Sequence, residues 1–278
     1  MTETPAIHDQ AAADAGMRAR RRKFWRNNQG PLLAVLSISL SLVFWQVAST
    51  FWFDPFLVPP PSVVARAAWP MIQSGEIFND VWISMTRVLV GFISGSAVAI
   101  VVGVLIGRIK VLHHLLDPVI ELLRYLSPTA MIPIAVIWFG IGEMSKYFLI
   151  FWGTLFIVLV NTVAGVWRTP IARQRAAECM GVNRFEIFFL IVIPSATPYI
   201  VTGMRVAMAS SFMSIIPAEI LAADSGIGYL LQKSSMLLQT DKIFVALITI
   251  CVLGFMTDRV FRLLVDKTLS RFTSSTSI

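Results

Sequence analysis

The side chains of this 278-residue sequence that could do chemistry are mostly charges set into apolar sequence. Arg87, Arg124 and Arg205 stand inside or at the edges of long apolar runs, and Glu219 follows Pro217 deep in another. An ion in hydrocarbon is costly enough to suggest a function by default. Arg87 and Arg205 could each attract an anion or snorkel to an interface, and Glu219 could gate a passage or brace a dimer contact. Ser210, Ser211 and Ser214, with Met208 and Met213, could line a weakly selective path or pack helices, and packing is the preferred reading. Glu121 and Arg124 are spaced to neutralise one another on one helix face, with Asp117 one turn earlier. His113 and His114 are neighbours, about 100° apart on a helix, which disfavours a shared metal. No nucleophile, base and orienting residue stand out, and the sequence carries no Gly-x-x-x-x-Gly-Lys-Ser/Thr phosphate loop. The chain is not expected to be an enzyme, nor to bind a metal or cofactor itself.

The elements that must position these residues follow from composition. The sequence is 56% hydrophobic and 14% charged, far from the roughly 25% charge of soluble domains. Its apolar residues come in runs of about 20, the length a helix needs to cross a bilayer. Six spans are expected, near 31–53, 81–107, 117–140, 145–167, 196–223 and 243–264. The domain map is a basic N-terminal segment 1–30, expected to be cytoplasmic and disordered, a six-helix membrane domain 31–265, and a cytoplasmic tail 266–278. The first run is longer than a signal-peptide core, so an uncleaved anchor is expected. Asp54–Asp80, broken by Pro59, Pro60 and Pro61, should lie at the interface.

Within the runs, Gly91, Gly95, Gly103 and Gly107 form two Gly-x-x-x-Gly pairs suited to close helix packing. Pro128, Pro133, Pro198 and Pro217 can kink their helices, and kinked helices often line a pathway, but Pro is also common in membrane helices. Cys179 and Cys251 have no pairing pattern and are read as unpaired. The net charge of +7 lacks the interleaved aromatics of a nucleic-acid groove and reports topology instead. Sixteen of the 23 Lys and Arg residues fall on one side if the N-terminus is inside, which places both termini in the cytoplasm.

The segment 168–195, between the fourth and fifth spans, is the most patterned. Thr169 is a plausible N-cap with Pro170 at the first helical position, and Gly181 suits a left-handed helix end. A second short helix can run from Asn183 to Pro194. Ala176 and Ala177 beside Arg173, Arg175 and Glu178 make a face suited to a soluble partner, although a pair of interfacial helices anchoring two spans reads equally well.

This segment resembles the cytoplasmic signature of the membrane permeases of binding-protein-dependent ABC importers, Glu-Ala-Ala, three residues, Gly, nine residues, Ile, one residue, Leu-Pro. Ala176, Ala177, Gly181, Ile191 and Pro194 match, Ile193 stands for the Leu, and Arg175 stands where the Glu is expected. Ile132–Glu143, Ile193–Ile200 with Gly203-Met204-Arg205, Ala218-Glu219-Ile220 and Ser225–Tyr229 are similar to segments of the taurine, alkanesulfonate and nitrate permease group.

That resemblance implies an all-α, type I importer permease fold with six transmembrane helices in a bacterial inner membrane. It implies a homodimer, two cytoplasmic ATP-binding cassette subunits that use ATP and Mg and bind the loop 168–195, whose residues 170–194 transmit the mechanical change, and an extracytoplasmic solute-binding protein. With Arg87, Arg124 and Arg205 it motivates an anionic cargo. The rival readings are an ion-coupled secondary transporter, which should show repeated halves, and more distantly a membrane-embedded enzyme.

Overall fold

The computed structural model describes residues 33–273, and every regular element among them is helical. The expected N-terminal segment 1–30 and residues 274–278 lie outside that range. The chain divides after Ala65 into two units.

In the first unit, α1 (Leu33–Phe51) is a candidate span. Its end is fastened locally: Ser49 Oγ donates to the Val58 carbonyl, and the Phe56 N–H donates to Asp54 Oδ1 at 2.9 Å in a side-chain turn. Helix α2 (Pro61–Gln73) starts at the last of three prolines, where a missing N–H costs nothing. It crosses the boundary between the units as one helix and carries exposed Val63, Trp69 and Ile72.

The second unit is built around α3 (Glu76–Arg108), α6 (Glu143–Trp167) and α9 (Ile193–Ala222), with α6 packed between the other two. The glycines explain how closely they pack. A Cβ on Gly91 would sit 2.6 Å from Ile150 Cβ, and on Gly103 2.8 Å from Thr162 Cβ. On the other side of α6, a Cβ on Gly203 of α9 would lie 2.5 Å from Asn161 Cβ. Small residues let the backbones approach where lipid supplies no hydrophobic drive. The core here is Val88, Phe92, Ala99, Ile150, Val158, Ala207 and Ile215.

Five helices among the described residues are long and apolar enough to span a bilayer. The third expected span, 117–140, is not one of them. It is divided into α4 (Lys110–Leu123), a turn, and α5 (Ile132–Phe139). The sequence Ser127-Pro128-Thr129-Ala130-Met131 folds into turns, with Ser127 Oγ accepting the Thr129 N–H at 3.2 Å. The prolines remove donors there, and Trp152 Nε1 from α6 donates to the Leu126 carbonyl at 3.1 Å. Irregular backbone is tolerated at membrane depth when protein satisfies it in this way. Sequence hydropathy counted the apolar residues of both pieces as one run.

The fifth span also differs, running from Arg184 to Leu221. Pro194 does not end the second short helix. A π turn at Phe188–Val192 brings the Ile193 N–H to the Phe188 carbonyl, so the ladder is widened just before the proline and its ring and absent donor are accommodated. Helix α11 (Thr240–Thr273) holds the last span and continues into the segment expected as a tail.

Candidate functional site

Two assemblies mark the two ends of α9. The first is α7 (Ile171–Cys179) and α8 (Arg184–Ile187), which lead through the π turn into α9. Thr169 does not cap α7: the N-cap is Pro170, and Thr169 Oγ1 is buried without a hydrogen-bond partner. Fixed near φ −60°, the proline takes the entry position itself. The end of α7 is as expected. Gly181 has φ +77°, its N–H donates to the Glu178 carbonyl at 3.0 Å, and the Val182 N–H reaches the Ala177 carbonyl at 3.1 Å. These two bonds form a Schellman motif around a left-handed glycine. Asn183 caps α8, its N–H donating to Glu186 Oε2 at 3.3 Å.

Ala177 is the buried residue of α7, whereas Arg175, Ala176, Glu178 and Gly181 are exposed and Met180 is 81% exposed. Arg173, Arg175 and Arg184 make no ion pair among the described residues. Beneath them runs an open groove of about 1100 Å³, with Arg168, Ala177, Glu186, Ile191, Pro194 and Tyr199 in its walls. The Arg168 guanidinium lies 5.5 Å from the Tyr199 ring centre. The face therefore offers arginines without an ion pair among the described residues, around small and apolar side chains, on a bent pair of helices continuous with a long one.

The second assembly is a buried cluster at the opposite end of α9. Arg87 of α3, 3% exposed, makes a two-pronged contact with Glu143, the first residue of α6: Nε to Oε2 and Nη2 to Oε1, both 2.7 Å. Its Nη1 donates to Glu219 Oε1 of α9 at 2.7 Å and to the Ser225 carbonyl at 2.7 Å. Lys146 Nζ reaches Glu143 Oε1 at 2.8 Å. Glu219, 1% exposed, also accepts from Ser84 Oγ at 2.8 Å and from the Gly228 N–H at 2.8 Å. The paired guanidinium and carboxylates satisfy one another by short charge-assisted bonds, the arrangement that makes buried charge tolerable. Gly226 is required here: its φ is +114°, and a Cβ would lie 2.5 Å from Glu219 Oε1.

The other sequence candidates lie elsewhere. Arg124 ends α4, 3.2 Å from Glu121 and over the Tyr125 ring. Arg205 pairs with Asp258 of α11 at 3.1 Å. Ser211 is buried against Thr154 at 3.0 Å. Ser214 bonds its own helix, and its Oγ would lie 2.5 Å from a Cβ on Gly153. Ser210 Oγ sits 3.5 Å from the Gly153 carbonyl. All three serines therefore sit at the α6–α9 seam. His113 packs 4.2 Å from the Trp167 ring rather than joining His114 in a site. Cys179 and Cys251 are free and exposed.

Sequence reasoning missed Asp80, Ser84, Glu143 and Lys146 as members of one site. A signal existed, because Glu143, Glu219 and Ser225–Gly228 close or fill the segments that carried the family resemblance.

Comparison with known proteins agrees with this architecture. The sequence profile described as "Binding-protein-dependent transport system inner membrane component" matches residues 95–270. The taurine transport system permease protein TauC of Escherichia coli K12 is 30% identical over 247 residues, covering 86% of this chain and 90% of that one. The nitrate import permease protein NrtB of Synechocystis is 30% identical over 261 residues, covering 90% and 94%. A chain of the MetNI methionine ABC transporter superposes with a TM-score of 0.56 at 17% identity, over 70% of this chain and 97% of that one. The chain belongs to the binding-protein-dependent transport system inner membrane component family, the multi-pass permease subunits of ABC importers.

Proposed function

We propose that the chain forms, as a homodimer, the passage through which a small organic or inorganic anion, such as a sulfonate, taurine or nitrate, enters the cell by alternating access. The observation that carries this reading is the exposed α7–Gly181–α8 pair, joined by a Schellman turn and the Asn183 cap and continuous through the π turn with α9. A partner pulling on such a pair moves a membrane helix, because no loop intervenes to absorb the motion. Arg175, Ala176, Ala177, Glu178, Gly181, Ile191 and Pro194 form the coupling segment. The partners are two cytoplasmic ATPases that use ATP and Mg, and an extracytoplasmic solute-binding protein.

The Lys and Arg distribution supports a cytoplasmic side for α7, α8 and both termini and an outer side for the Arg87 cluster. An anionic cargo is supported by what TauC and NrtB are named for. Arg87 is committed to two carboxylates in this structure, so Arg124 and Arg205 are the half-exposed cations of the three. Among the described residues Arg124, Arg205 and Ser210 remain the candidates for the path, while Glu219 and Arg87 are candidates for its outer gate.

Co-purification tests the reading. A tagged chain should bring down a stoichiometric ATPase and give ATP-dependent, binding-protein-dependent uptake of a sulfonate, taurine or nitrate. Uptake by the isolated chain under an ion gradient would overturn it in favour of a secondary transporter. Accumulation of neutral or cationic compounds alone would overturn the anionic cargo.

A further inference from the structure

We propose that α10 (Ile227–Met236), packed along α9 and α11, is a detachable plug whose head is seated in a charged socket held by α3 and α9 and braced by Glu143 of α6, with Arg87 and Glu219 as positioning residues. The proposal rests on the transport reading above for what lifts the plug.

Four consecutive residues at the head of α10 are held through their backbone by buried side chains of other elements. The Ser225 carbonyl accepts from Arg87 at 2.7 Å. The Gly226 N–H donates to Asp80 Oδ1 at 2.9 Å, the Ile227 N–H to Ser84 Oγ at 3.0 Å, and the Gly228 N–H to Glu219 Oε2 at 2.8 Å. The first N–H groups of a helix have no partner within it and carry partial positive charge. Here α3 and α9 supply the cap that the sequence of α10 lacks.

Withdrawing α10 breaks no ion pair. Arg87 keeps Glu143 and Glu219, Glu143 keeps Lys146, and Glu219 keeps Ser84. Arg87, Ser84 and Glu219 each lose one backbone contact but keep a side-chain partner, whereas Asp80 is left without a hydrogen-bond partner among the described residues. The N–H groups released are those that water takes at any exposed helix start. Water can approach through Glu143, whose side chain is 49% exposed. The neighbouring α3–α6 joint has no such freedom, since Gly91 lies under Ile150 at the overlap distance given above. Buried Ile227 and Leu230 supply the apolar contribution that reseats α10.

The test uses Ile227→Cys, 3% exposed at that position, in a Cys179→Ser, Cys251→Ser background, labelled by a water-soluble maleimide in membrane fragments open on both faces. Labelling should be slow in the resting complex. Glu219→Gln, or trapping of the ATPases with vanadate, should speed it roughly tenfold, the scale of a local opening made easier by one lost charged contact. Glu143→Gln leaves the four backbone contacts in place and should change labelling less than about twofold. Equal protection in every nucleotide state while ATP is hydrolysed would show a fixed brace and overturn the proposal. So would equal acceleration by Glu143→Gln and Glu219→Gln. If Glu219→Gln fails to accumulate, Ser84→Ala removes a single cap and should shift labelling in the same direction. These substitution arms need no ATPase, so a missing ATPase would sink the transport reading and leave the plug testable.

Discussion

At the Arg184 end of the long α8–α9 helix, arginines stand in the open with no carboxylate against them among the described residues, whereas at the Glu219 end Arg87, Lys146 and Glu219 are buried and each is held in a charged or charge-assisted contact. Both regions are rich in Arg, Glu and Gly, yet they use them oppositely. In the exposed pair, Gly181 has nothing within 4 Å of a notional Cβ, so it serves backbone conformation alone. In the buried cluster, Gly226 serves conformation and space together, because the Glu219 carboxylate fills the volume a side chain would take. The difference teaches what each end is for. The proposed docking face leaves its charges unspent, and the buried joint between helices satisfies most of its charges internally.

The contrast can be broken most sharply at Glu219. Glu219→Leu should destabilise the protein by about 3 kcal/mol, the order seen when one partner of a buried pair is removed. Thermal unfolding in detergent would show it, and an unchanged midpoint would mean the cluster contributes nothing to the fold. Gly91→Ala comes next. Its methyl meets Ile150 at 2.6 Å, and overpacking of this kind costs about 1–3 kcal/mol. The same measurement checks it.

Gly181→Ala, with open space but φ +77°, should cost about 1 kcal/mol of left-handed strain. The loss should fall on ATPase co-purification more than on the unfolding midpoint, and a reversed order would place the turn in the core rather than the coupling surface. The smallest stability effect is expected from Arg175→Glu. An exposed, unpaired residue should shift stability by no more than about 0.5 kcal/mol, while the charge reversal should change ATP hydrolysis by the assembled complex. Unchanged hydrolysis would remove Arg175 from the docking face.

Much of the segment 168–195 was legible because its signals are local. The left-handed glycine, the Asn183 cap and the Ala176-Ala177 pair act within a few residues, and the helix pair followed from them. Two local readings still failed. Thr169 looked like a cap but yielded to Pro170, and Pro194 looked like a stop but was absorbed by a π turn, which depends on packing around Phe188–Val192. The division of the third apolar run into α4 and α5 was not legible for a similar reason: hydropathy sums side chains, whereas the break at Ser127–Met131 depends on turn geometry and on a donor from Trp152, 26 residues away.

The sequence by itself determined that the chain is helical, that it enters a membrane, and where its two Gly-x-x-x-Gly helix faces lie. Those properties come from run length, residue size and charge placement along the chain. Tertiary structure alone decided the partners of the charges. Arg87 and Glu219 are 132 residues apart, and no spacing rule joins them. They meet because α6 lies against the glycines of α3 and the small residues of α9, which sets the axial register of the three helices. Once that register is fixed, Arg87 faces two carboxylates and the head of α10, and a cation that read as a lure for anions becomes the centre of a joint.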